Sequence, residues 1–80
     1  MDGIKKFFVC RAVNRADGST SAPVESFEAE KDARATFFTR ASQACSGDNV
    51  TDCVVLFTSD GFLLDHVGFT NKIQPEPNQE

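Results

Sequence analysis

From Ile4 to Thr70 the chain passes through four short runs dense in aromatic and β-branched residues. Between the second and third lies one longer stretch whose apolar positions fall three and four apart. The first run, Ile4 to Arg15, holds Phe7, Phe8, Val9 and Val13 and reads as a strand, closed by Ala16-Asp17-Gly18-Ser19. Thr20 to Phe27 returns as a second strand. Thr51 to Thr58, with Cys53-Val54-Val55-Leu56-Phe57, is the third, and after Ser59-Asp60-Gly61 the fourth runs from Phe62 to Thr70. Asp-Gly between apolar runs predicts a hairpin, expected here as a type I′ turn with positive φ at both central residues. Pro23 cannot donate to a ladder, so the second strand belongs at a sheet edge.

The intervening stretch predicts a helix over Glu28 to Cys45. Glu28, Glu30 and Asp32 load its first turns with negative charge, which suits the positive end of the helix dipole. Ala29, Ala33, Phe37, Ala41 and Ala44 form one stripe, small except at Phe37, so the helix can approach a sheet closely. Phe38 and Arg40 flank it, the arginine with its stem packed and its head in water. Gly47 is placed to end the helix as a C′ residue.

Half-buried strands alternate apolar and polar positions, and these do not. In the first strand Ile4, Phe8, Cys10 and Ala12 share one face and Phe7, Val9 and Val13 the other. In the third, Cys53, Val55 and Phe57 oppose Val54 and Leu56; in the fourth, Phe62 and Leu64 oppose Leu63, Val67 and Phe69. One helix covers one face of a four-stranded sheet. The other would expose more apolar surface than soluble monomers usually carry. A homodimer packed sheet on sheet accounts for this most simply, a different protein partner next, and cover by twist and the tail last. The candidate interface, with the strands not phased, is Phe7, Phe8, Val9, Val13, Val55, Phe57, Leu63, Val67 and Phe69. Eight Phe with no Tyr or Trp fit burial, because Phe has no polar atom to satisfy.

Eighty residues make one domain that buries about 60 to 65% of its unfolded surface, a thin core. A net charge of −4 disfavours nucleic acid as the main partner, since phosphates require a basic face. Neither a signal peptide nor a membrane span is expected, because the N-terminal apolar run breaks at Arg11 and no long apolar stretch follows. The expected location is cytoplasmic. Cys10, Cys45 and Cys53, an odd number without a paired spacing, read as reduced and mostly buried thiols. Residues 71–80, with Pro75 and Pro77, read as a disordered tail.

The chemistry is sparse. Cys10, Cys45, Cys53 and His66 have the composition of a zinc site, but each stands alone on a different element, so no metal is expected. Cys53 and His66 across the second hairpin are a conceivable nucleophile and base, and Asp60 and Asp65 could share a rim. Strand and turn positions explain all of them without catalysis. Asn49-Val50-Thr51 matches a glycosylation acceptor, an accidental match in a cytosolic chain. Phe7, Val9 and Arg11 on one face suggest base stacking, against which the acidic charge counts. No catalytic residue and no cofactor are assigned.

The first strand with its polar turn, Phe27-Glu28 leading into a helix of the Glu/Lys/Ala/Phe type, and Thr51-Asp52-Cys53-Val54-Val55-Leu56 before Ser59-Asp60-Gly61 resemble a class of short uncharacterised proteins. These are encoded in phages, prophages and mobile elements of Gram-positive bacteria. The resemblance spans Lys6 to Thr70 and lies in element order. It implies no activity, only a small accessory or interaction protein. The expectation is an α+β domain over residues 1–70: ββαββ, a four-stranded antiparallel sheet in the order 2-1-3-4, with 1-2-4-3 as the alternative, and one helix on one face. Its function is expected to be non-enzymatic interaction, as a homodimer or with a host protein, through an apolar sheet face or an acidic surface. An RNA- or single-strand-binding module is the alternative.

Overall fold

A computed structural model describes residues 5–70. The expected tail, and Ile4 at the start of the first strand, lie outside the described residues. Strands β1 (Phe7–Asn14), β2 (Thr20–Ser21) and β3 (Val24–Phe27) precede helix α1 (Glu30–Ser46), and β4 (Thr51–Thr58) and β5 (Leu63–Thr70) follow it. All pairings are antiparallel, in the order β2-β1-β4-β5, with β3 also on β1. This is the α+β fold with the 2-1-3-4 arrangement, with one change. The second strand is split at Ala22-Pro23, yet both halves keep one register on β1, Val13 opposite Ser21 and Cys10 opposite Val24. Pro23 interrupts the ladder because it has no N–H to give, while its carbonyl still accepts from Arg11 N–H at 3.2 Å.

Both hairpin turns differ from the expected two-residue form. Gly18 N–H donates to the Arg15 carbonyl and Gly61 N–H to the Thr58 carbonyl, which places each glycine just after the turn. Their φ values of 91° and 95° make them the left-handed third residue of a three-residue loop. Asp17 supports the first loop by accepting from Ser19 N–H and Oγ–H, and Asp60 supports the second by accepting from Thr58 Oγ–H.

The helix starts two residues later than Glu28. Ala29, at its N-cap, has no side-chain oxygen to bond the first amides, leaving Glu30 and Asp32 as the acidic residues of the first turn. Gly47 ends it with extended backbone (φ −77°), not in the left-handed region. Its missing side chain serves space instead: a Cβ there would lie 3.3 Å from the Gln43 carbonyl and 3.6 Å from Asp52 Oδ2.

Ala33, Phe37 and Ala44 of the stripe are buried against Val9, Val54 and Leu56, with Phe7, Phe27, Ala41, Leu64, Val67 and Phe69 packed around them. The small stripe brings the helix close to the sheet, and the core is correspondingly small. Leu56 faces Asp65 but Phe57 faces Leu63, so Leu64 is an extra residue, a β-bulge. The bulge lets Leu64 pack on the core and separates Leu63 from Val67 and Phe69, which strict alternation had grouped with it.

Candidate functional site

The registers phase every strand. Residues opposite one another in an antiparallel pair share a face. Phe7, Val9, Arg11 and Val13 of β1 lie with Asp52, Val54, Leu56 and Thr58 of β4, and Val67 and Phe69 of β5, beneath α1. Of the expected interface residues, Phe7, Val9, Val13, Val67 and Phe69 therefore belong to the face the helix covers. Val9 is 1% exposed and Val13 is buried, which removes them from any surface. Phe8, Val55, Phe57 and Leu63 lie on the other face. The base-stacking trio Phe7, Val9 and Arg11 is likewise under the helix and unavailable to a base.

The uncovered face has a regular layout, set by the pairings. Ser26, Phe8, Phe57 and Leu63 form one row across the strands, and Val24, Cys10, Val55 and His66 form the next. Ala12, Cys53 and Gly68 make the third row, and Thr20, Asn14, Thr51 and Thr70 the fourth. Phe8 and Phe57 stack with ring centroids 5.3 Å apart, a tilted pair. Leu63 is 57% exposed and Val24 55%, while Phe62 projects at the neighbouring hairpin end. Apolar height therefore falls along the strands, from a Phe-Phe-Leu ridge to an Ala-Cys-Gly shelf and then to a Thr/Asn border. None of these fifteen positions is Asp, Glu, Lys or Arg, in a chain one quarter of whose residues are charged.

The strand charges lie on the covered face. Asp52 is wholly buried and accepts from Arg11 Nε (2.9 Å) and Nη2 (2.7 Å) and from Asn49 Nδ2 (3.0 Å). The Arg11 hydrogen bonds hold its carboxyl below the usual carboxylate range against the opposing effect of burial, and the Asn49 bond adds to them. Beside it Arg40 donates to both oxygens of Glu25 at 2.9 and 2.8 Å, so its head is paired with a strand carboxylate and not simply hydrated as expected. Gln43 Oε1 accepts from both guanidiniums. Together with Pro23 these groups line an open cleft of about 300 Å³. Each arginine there already holds a carboxylate, so the cleft offers balanced charge and no free cation for an anion.

Of the chemical candidates, three share a face and one stands apart. Cys45 lies on the exposed side of α1, one position past the stripe, whereas Cys10, Cys53 and His66 lie on the uncovered face of the sheet. The expectation of mostly buried thiols is thus wrong: Cys45 is exposed and the other two are half-buried. Burial, and then the neighbouring Cys53, push the Cys10 thiol pKa up. Among the described residues no three His, Cys, Asp or Glu side chains gather closely enough to hold a metal ion. Asp60 faces Lys5 at the β4–β5 turn, while Asp65 faces Arg34 of the helix, so the two share no rim. Among the described residues no helix is long and apolar enough to cross a membrane.

Compared with protein-family models, curated proteins and solved structures, the chain matches none.

Proposed function

We propose that this chain is a non-enzymatic protein-interaction module that works through the uncovered face of its sheet. Its setting is the cytosol, and it belongs with the accessory proteins of phages and mobile elements. One observation carries the reading: a sheet face of fifteen positions, with Phe8, Phe57, Val55 and Leu63 at its centre and hairpin end, contains no formally charged residue. A surface evolved only to meet water would carry charge there, as the turns and the helix do. Apolar rows of this extent mark an interface. Binding to single-stranded nucleic acid fits less well, because no Lys or Arg side chain lies in these rows to meet a phosphate.

The test is a side-by-side capture experiment with the native chain and its Val55→Lys variant, with far-UV circular dichroism to verify that both are folded. The reading expects self-association or specifically retained proteins with the native chain, and their loss with Val55→Lys. Identical behaviour of two folded proteins would refute it. A salt-sensitive oligonucleotide shift by the native chain would favour the nucleic-acid module instead.

A further inference from the structure

We infer that the partner of the uncovered face is a second copy of this chain, seated face to face with its strands antiparallel, about a two-fold axis that crosses the strands along the Cys10–Val55 row. The inference rests on the interaction reading above and adds its occupant and its geometry.

The gradient across the face supplies the reason. Packed sheets lie about 10 Å apart, so facing side chains must fill a gap of nearly constant height. A two-fold axis through the Cys10–Val55 row brings each row onto its mirror in the copy. The ridge row then meets the shelf row: Phe8 faces the partner's Ala12, Phe57 the partner's Cys53, and Leu63 the partner's Gly68. On the axis Val55 faces the partner's Val55 and Cys10 the partner's Cys10. In these three columns each large ridge residue is matched with a small one, and on the axis Val55, Cys10 and His66 each meet their equal, which is the condition for close packing. A two-fold axis along the strands would set ridge on ridge and leave the shelf rows apart. An isologous contact requires one surface to complement itself, and this face does so in only one of the two orientations.

Charge and area agree. Two copies of a chain with net charge −4 repel in general, but these rows bring no two like charges together. Three of the columns are eight-residue strands. At roughly 3.4 Å per residue and 4.8 Å between strands, four columns cover about 500 Å² per protomer, or about 1,000 Å² in total, the lower bound of a specific interface.

The experiment combines mass, packing and proximity on the full chain. Sedimentation equilibrium at micromolar concentration should give twice the 8.7 kDa chain mass. Phe57→Lys should weaken association at least tenfold, and Leu63→Lys, at a more exposed position, should do the same if Phe57→Lys fails to fold. Phe8→Ala and Ala12→Phe should each weaken the dimer, and the double variant should regain most of the loss, because it merely reverses ridge and shelf on β1. A short bifunctional maleimide should join two chains through Cys10 in the Cys45→Ser/Cys53→Ala variant, but not through Cys45 in Cys10→Ala/Cys53→Ala.

A monomer overturns the inference, as does a dimer indifferent to both Phe57→Lys and Leu63→Lys. A dimer that is sensitive to them but shows neither rescue nor Cys10 cross-linking refutes the antiparallel seating. A monomeric native chain that still loses retained proteins on Val55→Lys would leave the interaction module standing with a different occupant. Indifference in both assays removes both.

Discussion

Replacing Asp52 by Asn tests the structure at its most constrained point. The change keeps shape and volume but removes the charge and turns one acceptor oxygen into a donor. Asp52 is fully buried and holds three hydrogen bonds, two of them from Arg11. In the variant one nitrogen meets donors only, from Arg11 or from Asn49. Breaking a buried ion pair by removing one partner costs about 3 to 5 kcal/mol when the other charge stays buried. Arg11 is 22% exposed and can turn toward water, which lowers the expected loss to about 2 to 3 kcal/mol. An 80-residue domain has a stability of about 4 to 12 kcal/mol, so the loss is a large share of it. Urea titration should show it as a midpoint lower by about 2 to 3 M, for an m-value near 1 kcal/mol/M. The pH dependence carries a second test. The folded-state pKa of Asp52 is depressed, so its contribution is fully present above the unfolded value of about 3.9 and is lost as pH falls through the folded value. The gap between native and Asp52→Asn stabilities should therefore be constant near neutral pH and shrink below about pH 4. A gap under about 0.5 kcal/mol at pH 7, the size of an ordinary surface change, would refute the buried pair.

Three other outcomes are expected. Glu25→Gln should cost under about 1 kcal/mol in the same titration, because Arg40 and Glu25 are 31% and 40% exposed and the pair is screened; a loss equal to that of Asp52→Asn would mean the pair is buried. Gly61→Ala should cost about 1 kcal/mol or slightly more from backbone strain alone, since nothing lies within 4 Å of a Cβ at that position; an unchanged melting curve would contradict the left-handed turn. With a chromogenic thiol reagent, native protein should show one fast site, Cys45, and two slow ones, Cys10 and Cys53; three equal rates would contradict the placement of the thiols.

The element order and the edge position of the Pro23 strand were legible in the sequence, because Asp-Gly, the run of alanines at helical spacing and a proline within a strand each have one main physical meaning. That both sheet faces are apolar was legible too. Which face the helix covers was not, because Phe7 and Phe8 are equal candidates until a register is known. The bulge at Leu64 hid in the same way: a one-residue insertion shifts the phase of a strand without changing its composition. The ion pairs left only a faint signal. Arg11 interrupts the row Phe7, Val9, Val13, and Asp52 interrupts Val54 and Leu56, a cation and an anion in two otherwise apolar rows. Only the pairing of Val13 with Asp52 brings them together. The turn type was not legible, because Asp-Gly serves both a two-residue loop and the end of a three-residue loop, and the hydrogen bond that decides between them is not visible in residue identity.

The placement of charge also bears on why this domain would need a copy of itself. The helix contributes three buried side chains, Ala33, Phe37 and Ala44, two of them alanine, and its seam with the sheet is closed at the edge by the Arg40–Glu25 pair and by Gln43, which accepts from Arg11 of the β1–β4 pair Arg11–Asp52. Such ion pairs fix the position of the helix but add less net stability than apolar contact of the same extent. Four further apolar side chains that would have deepened the core, Phe8, Phe57, Val55 and Leu63, are on the other face. In the proposed dimer they complete a second core, and folding becomes coupled to association. Melting temperature must then rise with protein concentration, because mass action stabilises the native dimer by about 1.4 kcal/mol for each tenfold increase. Shared between two chains, at about 4 to 8 °C per kcal/mol for a domain of this size, this gives an increase of roughly 3 to 6 °C per decade. Calorimetry from 5 to about 500 μM measures it directly, and Phe57→Lys should abolish the dependence while leaving a cooperative transition. A native melting temperature constant across that range would mean the second core does not form.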